Sequence, residues 1–385
     1  MRILIAPDKF KGTLSAREVG EAIAAGLRDS LPDAKIDIVP MADGGEGTAE
    51  VISQALGASW LECKAHDPLG REIDARYAWI DNQKLAVMEM SEAAGMRRLL
   101  PSELNPEIAS TVGVGEMILD AAKCGAQRII IGLGGSATND GGFGMARALG
   151  FRFFDSDRNE IQKVLDLTLL ALILPSPHSS PSGRGSRAAA GEGNALLTLP
   201  KIVAAADVRN PLLGENGATR VFGPQKGVTP DKIDKFERGL TRLTDVVADQ
   251  FSFDYRDEPG AGAAGGLGFG LISFAGAIIR PGFDVVAESV GLETKMKDVH
   301  LVITGEGSLD RQTLEGKTPA GVARLARKLG KRVFAMVGRA ADDAEVHALF
   351  DGVYQNARSG MSQEENMKRA AELLRENARE LAKML

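Results

Sequence analysis

A glycine-rich segment at residues 128–150, RIIIGLGGSATNDGGFGMARALG, constrains the fold of this sequence more than any other stretch. It predicts a buried strand at 129–131, then a turn dense in glycine and polar residues, then a helix that ends at Gly150. Glycines in the turn allow positive φ angles and a close approach of the backbone to a ligand. Free N–H groups at the start of the helix suit a phosphate, so we interpret the turn as an anion-binding loop.

Two other interpretations of the same turn stay open. Residues 132–137 fit the dinucleotide pattern G-x-G-x-x-G/A, and Asp155 follows the next predicted strand, near where a ribose would lie. In that case the helix would have to open within the pattern, which Gly141 and Gly142 oppose. The remaining interpretation is a tight strand-to-helix turn that binds nothing.

Composition indicates an ordinary globular protein of two or three domains. The chain has 385 residues, of which 44% are hydrophobic and 25% charged. Its net charge of −6 argues against a nucleic acid or an anionic membrane as a partner. Cys63 and Cys124 form no motif, and the first residues already read as a strand, so we expect a cytoplasmic protein without a signal peptide. Residues 260–279 lack charge but are too rich in glycine and alanine for a membrane span, which favours a buried helix after a glycine loop.

The order of predicted elements indicates a domain that is split in sequence. A strand at 2–6, a helix capped by Ser15 and Glu18, and a strand at 36–39 open the chain in a βαβα rhythm. The same rhythm returns near the end with strands at 300–304, 333–337 and 352–354. We expect a five-stranded doubly wound sheet from residues 1–62 and 290–385, with an inserted α/β domain at 63–289. Residues 175–199 have no hydrophobic period and are expected to be a disordered insertion.

Charged loops follow the first two predicted strands. Asp8, Lys9 and Lys11 suit an acidic substrate, with the lysines as cations and the carboxylate holding a hydroxyl; a solvated turn is the alternative. Residues 43–48 contain a carboxylate, Asp43, that could orient or deprotonate an alcohol. The alternative for that loop is an acidic turn that caps the next helix.

Single charged residues in later loops give weaker indications. Asp207 follows an apolar run and suits magnesium, whereas Lys226 lies between glycines and suits a phosphate oxygen. For each, a solvated loop residue is an equal alternative. Residues 311–318 nearly spell a P-loop, but Arg311 stands where a glycine is required, so we exclude a Walker-type site. The four histidines show no metal-binding spacing.

Several motifs, in order along nearly the whole chain, resemble the bacterial glycerate kinase type-1 family. They are IAPDKFKGTLSA at 5–16, ADGGEGT at 42–48, IGLGGSATNDGGFGMARALG at 131–150, ADVRNPLLGENGATRVFGPQKG at 206–227, PGAGAAGGLGFG at 259–270 and LVITGEGSLDRQTLEGKTPAGVA at 301–323. The resemblance implies ATP-dependent phosphorylation of D-glycerate to 2-phosphoglycerate in a cleft between domains. It also implies a flavodoxin-like doubly wound parallel sheet domain split around a second, inserted α/β domain.

The resemblance also implies roles for individual residues. The expected catalytic residues are Asp8, Lys11, Asp43 and Lys226, with either Asp8 or Asp43 as the base. ATP is expected at Gly134, Gly135, Ser136, Thr138, Asn139, Asp140, Gly141, Gly142, Gly305 and Glu306. Glycerate is expected at Asp8, Lys9, Lys11, Asp43, Gly44 and Gly45, and Mg²⁺ at Asp140 or Asp207. Small molecules are the expected partners of a monomer or homodimer, with no nucleic acid and no membrane.

Two departures from the family pattern leave other functions open. Lys9 stands where relatives usually carry serine, and residues 162–199 differ from the glycine-rich segment common in the family. A nicotinamide-dependent oxidoreductase acting on a small hydroxy acid would use the dinucleotide pattern at 132–137. A non-catalytic sensor of sugar acids would keep the fold and lose the chemistry.

Overall fold

The computed structural model describes residues 1–176 and 198–385. The predicted disordered insertion at 175–199 therefore lies, apart from its first two and last two residues, outside the described residues. The chain divides into two units. Met1–Leu56 and Pro281–Leu385 form the first unit, and Gly57–Arg280 forms the second.

The described residues form strands and helices with the following bounds. The strands are β1 (Arg2–Pro7), β2 (Lys35–Ile38), β3 (Ser59–His66), β4 (Glu72–Ile80), β5 (Leu85–Glu89), β6 (Arg128–Gly132), β7 (Arg152–Phe154), β8 (Leu172–Leu174), β9 (Lys201–Ala206), β10 (Ile278–Pro281), β11 (Leu301–Gly305), β12 (Ser308–Leu309), β13 (Arg332–Val337), β14 (Arg339–Ala340) and β15 (Gly352–Gln355). The helices are α1 (Ala16–Ser30), α2 (Thr48–Leu56), α3 (Ser91–Ala94), α4 (Val112–Lys123), α5 (Phe143–Ala148), α6 (Ala218–Phe222), α7 (Pro230–Phe251), α8 (Ala263–Ala275), α9 (Gly282–Ser289), α10 (Leu292–Lys297), α11 (Thr318–Lys328), α12 (Ala344–His347), α13 (Gln363–Lys368) and α14 (Ala370–Ala382).

The first unit is built on a five-stranded sheet with the order β15-β13-β11-β1-β2. All neighbouring strands run parallel. From β1 the chain moves to β2 on one side and later returns through β11 on the other, so the strand order reverses between β1 and β11. Ligands of doubly wound sheets bind beyond the carboxyl ends of the strands at such a reversal. The predicted doubly wound, flavodoxin-like domain, split by an insertion, is confirmed.

Apolar helix faces cover this sheet as the periodicity predicts. Val19, Ile23 and Leu27 of α1 are buried in one cluster with Ile3 and with residues of α14. Helix α11 also covers the sheet, where it packs on β11 and β13. The start of α1 has the predicted capping box, since Ser15 N–H donates to the Glu18 carboxylate at 2.8 Å and the Glu18 N–H donates to Ser15 Oγ at 3.2 Å.

The contact between α1 and α14 depends on one glycine. A Cβ atom on Gly26 would lie 2.2 Å from the carbonyl oxygen of Arg375 and 2.7 Å from the Cβ of Ala378. The helix backbones can approach this closely only because Gly26 has no side chain.

The end of the chain differs from its prediction. Ser362, with Glu365 three residues later, and the spacing of the apolar residues after it predict one terminal helix that carries Met367 and Ala371 on its apolar face. The structure instead contains two helices, α13 and α14, that meet at Arg369. The change of direction leaves Met367 and Ala371 exposed, while Leu374 is fully buried.

The second unit is built on a six-stranded sheet with the order β10-β9-β6-β5-β4-β3. Strands β3, β4 and β5 are antiparallel neighbours, whereas β5, β6 and β9 run parallel. The predicted strand at 129–131 lies in β6 and is buried. Strand β3 is absent from the sequence-based prediction, whose domain boundary at residue 62 falls inside it. Its polar, half-exposed residues mark an edge strand rather than a core strand.

The uncharged segment at 260–279 forms a glycine turn followed by the buried helix α8, as predicted. No helix among residues 1–176 and 198–385 is long and apolar enough to cross a membrane.

Replacing Gly26 with alanine is expected to destabilise the first unit by about 1–3 kcal/mol, because the added methyl group overpacks the contact between α1 and α14. The matched control is Gly239→Ala in α7, where the nearest atom to the added Cβ lies at an ordinary 3.6 Å. Thermal unfolding of both variants should show a loss only for Gly26→Ala. Equal unfolding temperatures for the two variants would contradict the close-packing argument.

Candidate active site

A cavity of about 570 Å³ opens at the carboxyl ends of the strands of the first unit. Its wall includes Asp8, which follows β1, and Glu306, which follows β11. Gly338 after β13 and Asn356 after β15 also line it. The cavity therefore lies at the reversal of strand order, where a sheet of this topology binds its ligands.

Asp8 presents a buried carboxyl group to this cavity. The hydroxyl of Thr318 donates to its Oδ2 at 2.6 Å, and the Lys9 N–H donates to its Oδ1 at 2.7 Å. Burial, and after it the charge of Asp43, raise the pKa of Asp8 to about 8. Its proton therefore exchanges near neutral pH, as a general base requires.

Glu306 lies on the same wall, at the end of β11. The Thr313 hydroxyl donates to its Oε1 at 2.6 Å. Burial raises the pKa of Glu306 to about 7, while the charge of Lys317 opposes this shift. The neighbouring Gly305 has a packing role, because a Cβ there would lie 2.1 Å from the carbonyl oxygen of Met336 on β13.

Cationic side chains outnumber carboxylates around the cavity. The cations are Lys9, Lys11, Lys317, Arg339 and Arg358, against the carboxylates Asp8, Asp43 and Glu306. Protonation of carboxyl groups near neutral pH increases the imbalance. The cavity therefore favours an anionic ligand.

The loop after β2 brings Asp43 to the cavity wall. Its Oδ1 accepts a hydrogen bond from the Gly45 N–H at 3.2 Å. Gly44 has a φ of 98° and lies against Gly282, where a Cβ would be 2.4 Å from the Gly44 Cα. The wall of the cavity, as far as the structure describes it, includes neither Gly44 nor Gly45. Gly44 and Gly45, predicted to bind glycerate, therefore shape the loop that carries Asp43.

In the second unit, the glycine-rich loop between β6 and α5 closes around Asp140. Both carboxylate oxygens of Asp140 are occupied: Oδ2 accepts from the N–H and hydroxyl of Thr111 and from the Gly144 N–H, and Oδ1 accepts from the Gly142 N–H. Burial raises the pKa of Asp140. The N–H of Met145 donates to the Thr111 hydroxyl at 2.9 Å.

These bonds correct two expectations for the loop. The N–H groups at the start of α5 are not free for a phosphate, because the carboxylate of Asp140 already accepts from Gly142 and Gly144. Asp140 is also poorly placed for magnesium, because it is 1% exposed and accepts four hydrogen bonds, two from Thr111 and one each from Gly142 and Gly144. Asp140 therefore stabilises the turn as a hydrogen-bond acceptor.

Lys226 is buried in the same unit, at 2% exposure. Its ammonium donates to the carbonyl oxygen of Thr138 at 2.8 Å and to Ser136 Oγ at 3.2 Å. Burial lowers the pKa of Lys226 to about 7, while the charge of Asp140 acts in the opposite direction. The hydroxyl of Ser136 also reaches the Ala264 carbonyl oxygen at 3.1 Å, so Lys226 and Ser136 join two loops.

The second of these loops is a left-handed turn at residues 264–266. Ala264, Gly265 and Gly266 all have positive φ, at 54°, 70° and 86°. A Cβ on Gly265 would lie 1.9 Å from the Thr138 carbonyl oxygen. The Gly141 N–H donates to the Gly265 carbonyl oxygen at 3.0 Å. The two glycine turns therefore interlock through their backbones.

Gly134 and Gly135 are the part of the glycine-rich loop that solvent reaches, with Gly134 half-buried and Gly135 exposed. Their N–H groups have no hydrogen-bond partner among the residues that the structure describes. Asp207 is exposed beyond the end of β9, and Gly132 pairs with Ala205 across β6 and β9. This register puts Gly134 and Asp207 at the same edge of the sheet.

The remaining loop residues are buried within the fold. Thr138 and Asn139 are fully buried, and the Asn139 amide donates to the Thr219 hydroxyl at 2.9 Å. Among residues 1–176 and 198–385, the Oδ1 atom of Asn139 has no hydrogen-bond partner, although it is buried. In the described part of the chain, no group of three or more His, Cys, Asp or Glu side chains is arranged to hold a metal ion.

The dinucleotide pattern does not have its required context. Helix α5 begins at Phe143, well after residues 132–137. Asp155 accepts hydrogen bonds from the N–H groups of Asp157 and Asn159, so its carboxylate stabilises a local turn. Nothing in this geometry favours a dinucleotide.

Sequence reasoning missed the threonines that fix the carboxyl groups. Thr318 is not among the predicted site residues, yet it donates a hydrogen bond to Asp8. Thr313 and Thr111 carried no local signal, because their partners, Glu306 and Asp140, lie in other loops or turns of the fold.

Substitution of Lys226 by methionine should make the stability of the second unit respond differently to pH. The folded protein holds this amine with a pKa of about 7, whereas the ordinary pKa of a lysine side chain is 10.5. Between these values the unfolded chain binds the extra proton, so the contribution of Lys226 to stability rises as pH increases from 7 to 10. The wild-type advantage in unfolding temperature over Lys226→Met should grow over this range. Lys235→Met on the exposed face of α7 is the control, and parallel pH profiles for all three proteins would contradict the expectation.

Comparisons with known proteins agree with this architecture. The model of the glycerate kinase family matches residues 3–385. The glycerate kinase of Bacillus subtilis (strain 168) is 39% identical, with 99% of this chain and 97% of the relative covered. The glycerate 2-kinase of Escherichia coli (strain K12) is 40% identical over 90% of this chain and 87% of its own.

A solved structure gives the same result for the fold. The crystal structure of a Salmonella typhimurium LT2 protein assigned as glycerate kinase 2 superposes with a TM-score of 0.83 at 39% identity, covering 100% of this chain and 98% of that one. The family match over nearly the full length and the identity of the relatives lead to one conclusion: the chain belongs to the glycerate kinase family.

Proposed function

We propose that this protein transfers the γ-phosphate of ATP to the C2 hydroxyl of D-glycerate, giving 2-phosphoglycerate and ADP. The observation that carries the proposal is the buried carboxyl group of Asp8, set among cationic side chains where the strand order reverses. Membership of the glycerate kinase family supports the reaction, and the relative named glycerate 2-kinase supports the position of transfer.

The acceptor is held by the charges of the first unit. The carboxylate of glycerate pairs with Lys11, whose ammonium is exposed at the cavity. Lys9 is partly engaged by Glu46, with 3.6 Å between Nζ and Oε2, and supplies a second positive charge. The C2 hydroxyl donates to Asp8, whose Oδ atoms each keep a lone pair beyond the bonds from Thr318 and Lys9.

Asp8 takes the hydroxyl proton as the oxygen attacks. The new O–P bond forms at the γ-phosphorus while the bond to the leaving ADP oxygen breaks, and the proton remains on the carboxyl group until solvent removes it. Transition states of this kind are loose, so positioning and charge neutralisation supply most of the rate. Asp43 keeps the pKa of Asp8 high and thereby keeps Asp8 basic enough to accept the proton.

In the second unit, the N–H groups of Gly134 and Gly135 bind the phosphates of ATP. Their N–H groups are the open donors of the glycine-rich loop. Asp207, at the same edge of the sheet, offers carboxylate oxygens of the kind that Mg²⁺ binds together with phosphate oxygens. Magnesium, when bound, would neutralise charge on the phosphates. Lys226 shapes the loop through Ser136 and Thr138 and stays beneath it.

Substitution of Asp8 by asparagine is expected to lower kcat for glycerate-dependent release of ADP by about 10²–10⁴-fold, because the base is removed. Asp37→Asn on the exposed edge strand β2 is the control and should keep full activity. Nearly full activity in Asp8→Asn would show that another group accepts the proton. Loss of activity in Asp43→Asn alone would move that role to Asp43.

Two substitutions beside Asp8 should shift the pH profile in opposite directions. In wild-type protein kcat/KM should rise with pH to a midpoint of about 8, because Asp8 acts only when deprotonated. Thr318→Val removes a hydrogen bond that lowers the pKa of Asp8, so the midpoint should move to higher pH. Asp43→Asn removes a charge that raises the same pKa, so the midpoint should move to lower pH.

The opposite directions are the critical result. Each variant should recover a high rate at a pH above its own midpoint, since Thr318 and Asp43 tune the base rather than replace it. Midpoints that stay fixed, or move in the same direction, would mean that the profile reports a group other than Asp8.

A further inference from the structure

The cavity of the first unit is larger than its proposed acceptor requires. Its volume of about 570 Å³ falls within the range of about 300–1,000 Å³ that is typical of sites for ligands much bigger than a three-carbon acid. The carboxyl groups and Lys11 account for part of its wall. Another part of the wall is formed by apolar side chains.

These apolar residues, called the apolar side below, come from the loop after β1, from the segment between β15 and α13, and from the helices α13 and α14. The apolar side includes Phe10, Ala357, Met361, Met367 and Ala370. Met367 is 38% exposed and lines the cavity, so its side chain is accessible to a ligand there. Its Cε lies 3.7 Å from the point that a Cβ on Gly12 would occupy, so the side chain extends towards the loop after β1.

We propose that this apolar side of the cavity binds the purine base of the phosphate donor. A purine base has a flat, weakly polar face, and this wall presents methionine and alanine side chains. Methionine adapts its shape to flat ligands through a flexible, polarisable side chain. The inference rests on the proposed kinase function for the identity of the donor, and on the cavity itself for the site.

Hydrogen-bonding groups are available beside the apolar side. Asn366 lines the cavity, and its amide nitrogen donates to the Ser362 carbonyl oxygen at 3.0 Å. Its Oδ1 is buried and accepts no hydrogen bond within the described residues. A small rotation of this amide would offer an acceptor to an exocyclic amine of the base. Gln363 on the same wall is a second, exposed amide.

The strand topology supports the same location. The loops after β1, β11, β13 and β15 all contribute to the cavity, and the reversal between β1 and β11 is where sheets of this order bind nucleotides. Glycerate carries a carboxylate and two hydroxyl groups, and such polar groups do not need an apolar wall.

The test is a carboxylate placed on the apolar side. Met367→Asp should raise KM for ATP about tenfold or more, because a charged group cannot contact the base without losing its water. KM for D-glycerate should stay unchanged. Met384→Asp is the matched control, since Met384 is 67% exposed at the end of the chain and does not line the cavity. Met361→Asp provides a second variant on the same wall.

Competition with inorganic tripolyphosphate separates the base from the phosphates. In Met367→Asp, inhibition by ADP should weaken, whereas inhibition by tripolyphosphate, which has no base, should not change. Equal weakening of both inhibitors would overturn the inference, because it would place phosphates beside Met367. A rise in KM for glycerate alone would overturn it as well, by giving this wall to the acceptor.

Direct binding distinguishes failure of this inference from failure of the kinase function. Equilibrium titration with a fluorescent ADP carrying its label on the ribose needs no turnover. Binding by wild-type protein that weakens in Met367→Asp would support the base site even if glycerate were not phosphorylated. Glycerate-dependent turnover with unchanged ADP binding in Met367→Asp would keep the kinase and reject the base site.

Discussion

The parallel pairing of β1 with β11 is the interaction on which the first unit depends. Ile3 pairs with Leu301 and Pro7 with Gly305, so strands from opposite ends of the chain form the centre of one sheet. The Thr304 hydroxyl adds a bond to the Ala6 carbonyl oxygen at 2.8 Å within this pairing. Because the loops after both strands emerge side by side, Asp8 and Glu306 reach the same cavity. The register of β1 against β11 therefore determines that these two carboxyl groups lie close to the same ligand.

Buried charge is used differently in the two units. In the first, Asp8 and Glu306 are desolvated beside a cavity, and each accepts a threonine hydroxyl. In the second, Asp140 is buried away from any described cavity and accepts four hydrogen bonds, two of them from Thr111. Both arrangements raise a carboxyl pKa by burial, but only the first leaves the group accessible to a substrate. A perturbed pKa therefore indicates a functional group only where the group also lines a cavity.

Hydrophobic periodicity and capping patterns were sufficient to predict most of the first unit. Its five parallel strands, the capped helix α1 and the split by an insertion were all predicted, because buried strands and amphipathic helices leave strong local signals. Strand β3 was missed because edge strands carry polar residues, and the break between α13 and α14 was missed because helical spacing continues across Arg369. The cavity combines loops far apart in sequence, so Asp8 and Asp43 were predictable as candidates, whereas Thr318 and the apolar wall were not.

The discontinuity of the first unit also determines the order in which a ribosome releases its parts. Every residue of the second unit, Gly57–Arg280, is synthesised before β11 exists. Domains fold as units during synthesis, so the inserted unit can acquire its core while β1, β2 and α1 still lack most of their sheet. The apolar strand Arg2–Pro7 must wait for residues near 300 with one edge unpaired. The nascent chain therefore keeps an apolar strand with an unpaired edge until β11 is synthesised, and an unpaired edge of this kind is open to non-native pairing.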